Sequence, residues 1–233
     1  SAIAETHPLS VGMVGVYGQA AANSAVGDSD VVVIVGAKLS PQDTVKERPD
    51  VFDPHRQKII QIDIDDRNAG WTFPVNLGLI GDARSILTQL IEASPEKASE
   101  SSDERREWTQ TLLNRKETQA FYADPAMSVD SSPVTPQRAV SILHDNLPQD
   151  TIFALDAGNN RTWMAHLYQA RQANTFFCPG GTAGMGWGLP ASVGAFYGKK
   201  NIKRVICLTG EGGLQMNIQE LSTIMHNKIP NPW

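Results

Sequence analysis

The chain has 233 residues, of which 41% are hydrophobic and 19% are charged, so it can bury a sizeable core in one or two domains. Its formal net charge of -5 argues against a general nucleic-acid-binding surface and against a membrane surface. No apolar stretch is long enough to span a bilayer, and nothing at Ser1 resembles a signal peptide.

The two cysteines indicate a reducing compartment. Cys207 lies inside an apolar run that predicts a core strand, and Cys178 precedes a Pro-Gly-Gly turn. We expect both to be free thiols and not a disulfide, because the sequence has no framework of paired cysteines. The expected location is therefore the cytoplasm.

The first part of the chain predicts a small α/β domain. Strands alternating with helices are typical of a parallel sheet covered on both sides. The predicted elements are an Ala-rich, helix-capable segment at 19–27, strands at 31–36 and 58–64, and an amphipathic helix after Asp82 in which Ile86, Leu87, Leu90 and Ile91 share a face.

Two features of this part have alternative interpretations. Gly12, Gly15 and Gly18 are spaced three apart, but the spacing is wrong for a dinucleotide fingerprint, so a tight turn with close packing is favoured. Asp63, with the two acids that follow at 65 and 66, could form a metal cluster. Such acids more often end a strand and begin a turn, and we favour that interpretation.

A polar segment follows. Residues 92–106 are rich in Ser, Glu, Lys and Asp, which indicates a solvated connection, although Trp108, Leu112 and Leu113 suggest a short helix within the linker. Pro133 and the serines before it break the chain again. We therefore place the domain boundary near Ser131.

The second part opens with a helix start and a strand. Thr135 can cap a helix that has Pro136 in its first position, and the run 151–155 predicts a strand. The loop 156–160 follows that strand, and ligands of open α/β sheets bind at such ends. Asn159 and Asn160 could donate to phosphate oxygens there, or could merely cap a helix starting at Arg161.

Five glycines lie between Cys178 and Pro190. Such a run means that the backbone passes close to another segment or to a ligand. Composition alone favours packing against a helix. Met185, in the middle of the run, could fill a gap beside a ligand or could be ordinary core filling.

The segment 204–217, RVICLTGEGGLQMN, carries the clearest functional signal. An apolar run at 205–208 predicts a buried parallel strand, a glycine turn follows, and from Gln215 the apolar spacing predicts a helix. A strand, a glycine turn and a helix start form an anion site. Glu211 lies inside that turn, and a carboxylate beside a diphosphate is repulsive unless a cation such as Mg²⁺ lies between them.

The segment TGEGGLQMNIQELSTI (209–224) resembles the start of the cofactor motif of thiamine diphosphate enzymes, most closely the acetolactate synthase and benzoylformate decarboxylase group. In that family the motif opens Gly-Asp-Gly and closes on paired asparagines. This chain departs from it twice, since Glu211 stands in place of the Asp, and the sequence reaches Trp233 before the Asn-Asn pair. The resemblance therefore implies a piece of a larger enzyme.

The resemblance also implies roles for other residues. GGTAGMGWGLPASVGA (180–195) is similar to the family's segment beside the cofactor rings, where Met185 matches the bulky residue that holds the cofactor bent and the Gly184 backbone faces the pyrimidine. Asn159 and Asn160 match polar residues that touch the diphosphate. The first part resembles the family's central domain. In some members that domain binds FAD or an adenine nucleotide, and nothing in this sequence selects for or against either ligand.

We therefore predict two doubly wound, parallel-sheet α/β domains. These are a Rossmann-like central domain (1–95), a linker (96–131), and a diphosphate-binding domain (132–233) that ends before the Asn-Asn pair. The predicted cofactors are thiamine diphosphate and Mg²⁺, with Glu211 as the metal ligand. The predicted cofactor-binding residues are Asn159, Asn160, Gly184, Met185, Gly210, Glu211, Gly212 and Gly213.

The resemblance implies a lyase or transferase that acts on 2-keto acids, by decarboxylation or by acetolactate synthase-like carboligation. The family's activating glutamate belongs to an N-terminal domain that is absent here, and its active sites form between subunits. We thus expect no catalytic side chain in this chain, no turnover by it alone, and a homodimer or homotetramer of the parent. The alternatives are a non-catalytic nucleotide-binding or regulatory module and a ketoacid-oxidising or acyl-CoA lyase member of the same superfamily.

Overall fold

The computed structural model describes residues 2–94, 103–198 and 204–229. The chain divides into two compact units, one of residues 11–121 and one of residues 1–10 with 122–233. The end of the chain at 230–233, residue 95 and the part of the predicted linker at 96–102 lie outside the described residues.

The unit of residues 11–121 contains a parallel three-stranded sheet in the order β1-β2-β3. Val31 pairs with Lys58 and Ile60 pairs with Leu77, so the three strands run side by side in one direction. The elements in chain order are α1 (Ala20–Asp28), β1 (Val31–Val35), β2 (Lys58–Asp63), β3 (Leu77–Ile80), α2 (Ala83–Ala93) and α3 (Asp103–Thr118). The predicted α/β fold with a parallel sheet is confirmed for this unit.

The sheet of this unit is covered unevenly. Ile34 and Ile59 are buried in a cluster with Val51 and Phe52. On β1 the alternate residues Val31, Val33 and Val35 point the other way, since strand side chains alternate between faces, and they remain exposed. The expected covering of both faces is therefore incomplete in this structure.

The glycine-rich start of this unit is a close-packed turn, as the favoured interpretation predicts. A Cβ on Gly18 would lie 2.2 Å from the carbonyl oxygen of Met13, so only glycine fits there. The acids after β2 also form a turn. Asp63 ends the strand and accepts from the Asp65 backbone N–H at 2.9 Å, while Arg67 holds the pKa of Asp65 low, at about 2.

The helix suggested by Trp108 exists and is longer than a short docking helix. This helix, α3, lies against α1, where Arg115 pairs with Asp28 and the Ser24 hydroxyl bonds the Gln119 side chain at 3.1 Å. A stretch of the predicted linker is thus part of a packed unit. The domain limits at 95 and 131 stay predictions.

The second unit contains a parallel sheet in the order β5-β4-β6. Its elements are a 3₁₀ helix (Pro125–Ser128), α4 (Pro136–Asn146), β4 (Ile152–Leu155), α5 (Asn159–Leu167), β5 (Phe176–Phe177), α6 (Gly188–Gly198), β6 (Val205–Leu208), α7 (Glu211–Met216) and α8 (Glu220–His226). The two-residue β5 had no signal in the sequence, because its apolar run is too short to show a period.

The centre of this sheet is the core of the unit. All four residues of β4 are buried, and Phe153 and Leu155 pack with residues of α4, α5 and β6: Val140, Met164, Leu167, Tyr168 and Ile206. Residues 2–10 belong to the same unit. Glu5 fixes them by donating its backbone N–H to the Ala170 carbonyl at 2.8 Å and accepting the Ala170 N–H on its carboxylate at 2.7 Å.

The helix expected from Gln215 begins earlier and is interrupted. The helix α7 starts at Glu211, inside the glycine turn itself, and ends at Met216. Asn217 leaves the helical conformation, with φ -133°, and its side chain bonds the Gly186 carbonyl. The chain then resumes as α8, so the predicted single helix is two short ones. Across the described ranges, every helix is too short or too polar to cross a lipid bilayer.

Candidate functional site

Two of the predicted cofactor segments start side by side. Leu155 of β4 pairs with Leu208 of β6, and the Asp156 backbone N–H donates to the Leu208 carbonyl at 2.9 Å. Since the strands are parallel, the loop 156–160 and the turn 209–213 leave the sheet at the same edge. This is the edge at which open α/β sheets bind ligands.

The third segment, at 184–187, is brought to the same place by a buried carboxylate. Asp156 is completely buried, and it accepts the backbone N–H of Gly186 at 3.0 Å and that of Trp187 at 3.2 Å. A further bond comes from Asn217, directly after α7, whose amide donates to the Gly186 carbonyl at 2.7 Å. The three segments predicted from the sequence therefore converge within one unit.

Met185 lies directly on the glycine turn. A Cβ on Gly212 would be 3.0 Å from the Met185 Cε atom, so the methionine fills the space that a side chain on the turn would occupy. The methionine is nevertheless 51% exposed, which is unlike ordinary core filling. Gly184, next to it, is exposed as well.

The two asparagines differ in their surroundings. Asn159 is exposed and is the first residue of α5, which begins two residues before the expected start at Arg161. Asn160 directs its amide group at backbone carbonyls, with 2.7 Å to Leu208 and 3.5 Å to Asp156. The Asn160 amide thus ties α5 to the end of β6.

Glu211 occupies the first position of α7 with Gly210 as the cap residue. Both are exposed, and the Leu214 N–H makes the first bond of the helix, to the Gly210 carbonyl at 3.0 Å. The N–H groups before Leu214 belong to the first turn, where helices have no internal acceptors. Within the described ranges, no group of three or more His, Cys, Asp or Glu side chains could hold a metal ion.

Sequence reasoning missed three residues that organise this site: Asp156, Thr209 and Asn217. The Thr209 hydroxyl donates to Asp156 at 2.8 Å. A signal for Asp156 existed, since a carboxylate directly after a fully apolar strand has to be satisfied by local donors. Thr209 and Asn217 gave no comparable signal, because their partners are 53 and 31 residues away along the chain.

The Asp156 charge also affects the neighbouring strand. Burial, and then the nearby Asp156 carboxylate, raise the pKa of the Cys207 thiol to about 11. Both cysteines are free, as expected, with Cys178 exposed. Cys207 is therefore a neutral, unreactive thiol at physiological pH.

An apolar cavity of about 640 Å³ lies between β4 and α6. It is lined by Ile152, Ala154, Phe177, Trp187 and Ala191, among others. None of the predicted cofactor-binding residues lines it, although Trp187 of the segment 184–187 does.

Comparison with known proteins shows which family the chain belongs to. Residues 1–90 match the model of the thiamine pyrophosphate enzyme central domain, and residues 156–232 match that of the C-terminal TPP binding domain. The chain belongs to the thiamine pyrophosphate enzyme family. The second match covers all three converging segments, so the site lies in the family's cofactor-binding domain.

Related thiamine pyrophosphate enzymes match nearly the whole chain. The probable acetolactate synthase large subunits of Methanocaldococcus jannaschii and Methanococcus aeolicus are 37% and 34% identical over 97% and 98% of this chain. The acetolactate synthase isozyme 3 large subunit of Escherichia coli is 31% identical over 97% of it. The matches cover 37%, 39% and 38% of those proteins, so this chain spans less than two fifths of their length.

Proposed function

We propose that the full-length protein containing this chain is a thiamine diphosphate- and Mg²⁺-dependent lyase or transferase acting on 2-keto acids. The reaction is decarboxylation or an acetolactate synthase-like carboligation. The observation that carries the proposal is the convergence of the loop 156–160, the segment 184–187 and the turn 209–213 around Asp156. The names of the relatives support the choice of substrate class.

In this proposal the diphosphate binds at the glycine turn. The backbone of Gly210, Glu211, Gly212 and Gly213 addresses its oxygens, because the first-turn N–H groups of α7 point toward an incoming anion. A Cβ on Gly210 would meet nothing within 4 Å, so the turn is open to close approach at that residue. The exposed amide of Asn159 is better placed to donate than that of Asn160, which already bonds Leu208.

The rings of the cofactor would lie against the segment that contains Gly184 and Met185. Met185 is exposed and rests on the turn at Gly212, so one face of its thioether is supported and the other is free. A flexible, polarizable side chain suits a ring surface. The residues present therefore fit the cofactor.

Glu211 is the side chain that would hold Mg²⁺ at the diphosphate. Mg²⁺ is commonly held by one or two carboxylates together with phosphate oxygens and water, so a single exposed carboxylate beside a diphosphate is a sufficient protein contribution. Glu211 is one methylene longer than the aspartate that the family motif carries. Its position at the start of α7 leaves it free to reach outward.

Bound thiamine diphosphate would supply the carbanion and the electron sink for cleavage beside a ketone. The described side chains hold and orient it, and we assign no catalytic side chain to them. We further propose that this chain has no turnover alone and that the full-length protein is a homodimer or homotetramer, as the family resemblance implies.

We propose the unit of residues 11–121 as the part of the chain to test for binding of FAD or an adenine nucleotide. A crevice of about 510 Å³ lies at the carboxyl ends of its strands, lined by Gly36, Lys38, Asp63, Asn68 and Asp82, among others. It combines the carboxylates of Asp63 and Asp82 with the ammonium group of Lys38. This part of the proposal is tested by measuring the binding of FAD and of ADP to the full-length wild-type protein and to its Asp82→Asn variant.

The central test is cofactor binding by the full-length protein. Titration with thiamine diphosphate should give saturable binding that tightens when Mg²⁺ is added. Glu211→Ala should weaken binding in Mg²⁺ by about tenfold or more and leave binding without Mg²⁺ little changed, because only the metal-bridged contact is lost. Glu211→Asp should keep the Mg²⁺ dependence.

Glu220→Ala is the matched control, because Glu220 is also an acid in the first turn of a short helix. It should bind as the wild type does. Absence of any saturable thiamine diphosphate binding would overturn the proposed function. Equal Mg²⁺ dependence in Glu211→Ala and the wild type would remove Glu211 from the metal site.

A further inference from the structure

The Asp156 carboxylate is the most unusual polar group of the second unit. It is completely buried, and both of its oxygens are fully engaged. One oxygen accepts the Ala157 N–H at 2.7 Å and the Trp187 N–H at 3.2 Å. The other accepts the Gly186 N–H at 3.0 Å and the Thr209 hydroxyl at 2.8 Å.

In the described part of the chain, the donors to this carboxylate are three backbone N–H groups and one hydroxyl, and no Lys or Arg pairs with it. A buried carboxylate is costly unless hydrogen bonds satisfy it. Two of its donors stand just before helices, with Trp187 next to the start of α6 and Ala157 two residues before α5. Helix N-termini carry partial positive charge, which favours an anion at this point.

The backbone is shaped around this side chain. A Cβ on Gly213 would lie 2.3 Å from the Asp156 Oδ2 atom and 2.7 Å from the Thr209 hydroxyl. A Cβ on Gly188 would lie 3.0 Å from the Asp156 Cβ atom. The first turn of α7 and the start of α6 therefore both pack directly on Asp156.

The four donors are distributed over the three cofactor segments, with Gly186 and Trp187 in the same one. Ala157 precedes Asn159, Gly186 follows Met185, and Thr209 precedes the turn at 210–213. Building on the proposed function, we infer that Asp156 and Thr209 are positioning residues that fix the spacing of the three segments that bind thiamine diphosphate. Asp156 acts through these segments because it is enclosed beneath the glycines, and the Thr209 hydroxyl is directed at Asp156.

Thr209 gives the cleanest test, because two substitutions separate its hydroxyl from its shape. Thr209→Val keeps the shape and removes the donor to Asp156, while Thr209→Ser keeps the donor and removes a methyl group. In the full-length protein, with Mg²⁺ present, Thr209→Val should raise the thiamine diphosphate Kd about tenfold. Thr209→Ser should restore it to within about threefold of the wild type.

The matched control is Thr175→Val. Thr175 is also buried, in the same unit, and its hydroxyl bonds the Gln172 carbonyl at 2.7 Å, remote in sequence from the three segments. This substitution should lower the Tm but leave the thiamine diphosphate Kd unchanged. A general loss of stability is thereby separated from a loss of positioning.

Asp156→Asn extends the test. The amide keeps the size of the side chain but places an NH₂ group against two of the hydrogen-bond donors that face Asp156. The thiamine diphosphate Kd should therefore rise by more than in Thr209→Val. In the double variant, the thiamine diphosphate Kd should rise by less than the product of the fold-increases in Asp156→Asn and Thr209→Val. Both substitutions remove the same hydrogen bond between Thr209 and Asp156. If Asp156→Asn does not fold, the Thr209 pair decides the matter.

The outcomes separate this inference from the function it builds on. If wild-type protein does not bind thiamine diphosphate, the proposed function fails. If wild-type protein binds it and Thr209→Val binds equally well, or lowers only the Tm as Thr175→Val does, the positioning role is wrong and the function stands. The measurement is the thiamine diphosphate Kd of each variant well below its Tm, and the readout specific to positioning is the recovery of affinity in Thr209→Ser.

Discussion

At the scale of single residues, glycines decide how closely the site can pack. Gly213 and Gly210 lie in the same turn but have opposite surroundings. A Cβ on Gly213 would collide with Asp156 and Thr209, whereas a Cβ on Gly210 would meet nothing within 4 Å. The two glycines are alike in sequence, and only their neighbours in space distinguish them.

Gly213→Ala should therefore destabilise the protein, and Gly210→Ala should not. The added methyl group on Gly213 overpacks a closed space, and such overpacking costs roughly 1–3 kcal/mol of unfolding free energy. Gly210 has φ -79°, which alanine adopts without strain, so its substitution should change stability by less than about 1 kcal/mol. Denaturant unfolding of both variants checks this, and equal stability losses would contradict it.

At the scale of elements, helix ends follow their local sequence where the chain supplies a cap. The Thr135 side chain accepts the Arg138 N–H at 3.2 Å, and Pro136 occupies the first position of α4, as the sequence predicts. The break between α7 and α8 has a different origin. There Asn217 bonds Gly186, a tertiary partner that no local pattern announces.

Thr135→Ala should lower the unfolding free energy by about 1 kcal/mol, because it removes the acceptor for an N–H at the start of α4. Thr135→Ser keeps a hydroxyl acceptor and should recover most of the loss. Thermal unfolding followed by circular dichroism measures both variants. A Thr135→Ala protein as stable as the wild type would show that the cap contributes nothing.

At the scale of the whole molecule, two parallel sheets each have their own core, and the first leaves apolar surface uncovered. Val31, Val33 and Val35 are between 41% and 51% exposed on one face of β1, while Ile34 on the other face is 7% exposed. Contiguous exposed apolar residues are typical of surfaces that bind another protein, a membrane or a ligand. A cytoplasmic location stays a prediction that depends on the two free cysteines.

Val33→Thr should lower the binding of a hydrophobic dye by this 233-residue chain and leave its stability nearly unchanged. Threonine keeps the β-branched shape on an exposed strand face and adds a polar group. Ile34→Thr is the control from the opposite face and should destabilise the fold, because it buries a hydroxyl in the core. Unchanged dye binding by Val33→Thr would show that this face is not the exposed apolar surface of the chain.

The sequence by itself determined the fold class and most element positions, and it singled out the three segments that we propose to bind the cofactor. The fold class and the element positions depend on local chemistry, namely apolar runs such as 205–208, the Thr135 cap and glycine-rich turns. The segments were recognised from the resemblance of 209–224 and of two earlier stretches to a known family. It also determined the family, which the comparisons confirmed.

Only the tertiary structure decided how the segments are joined. Asp156, Thr209 and Asn217 act across 30 to 53 residues of chain, and the hydrogen-bond partner of a side chain at that distance is set by which strands pair. The same holds for the exposed face of β1 and for the early start of α7. Periodicity shows that a strand has two faces, but what covers each face depends on packing, which no single segment encodes.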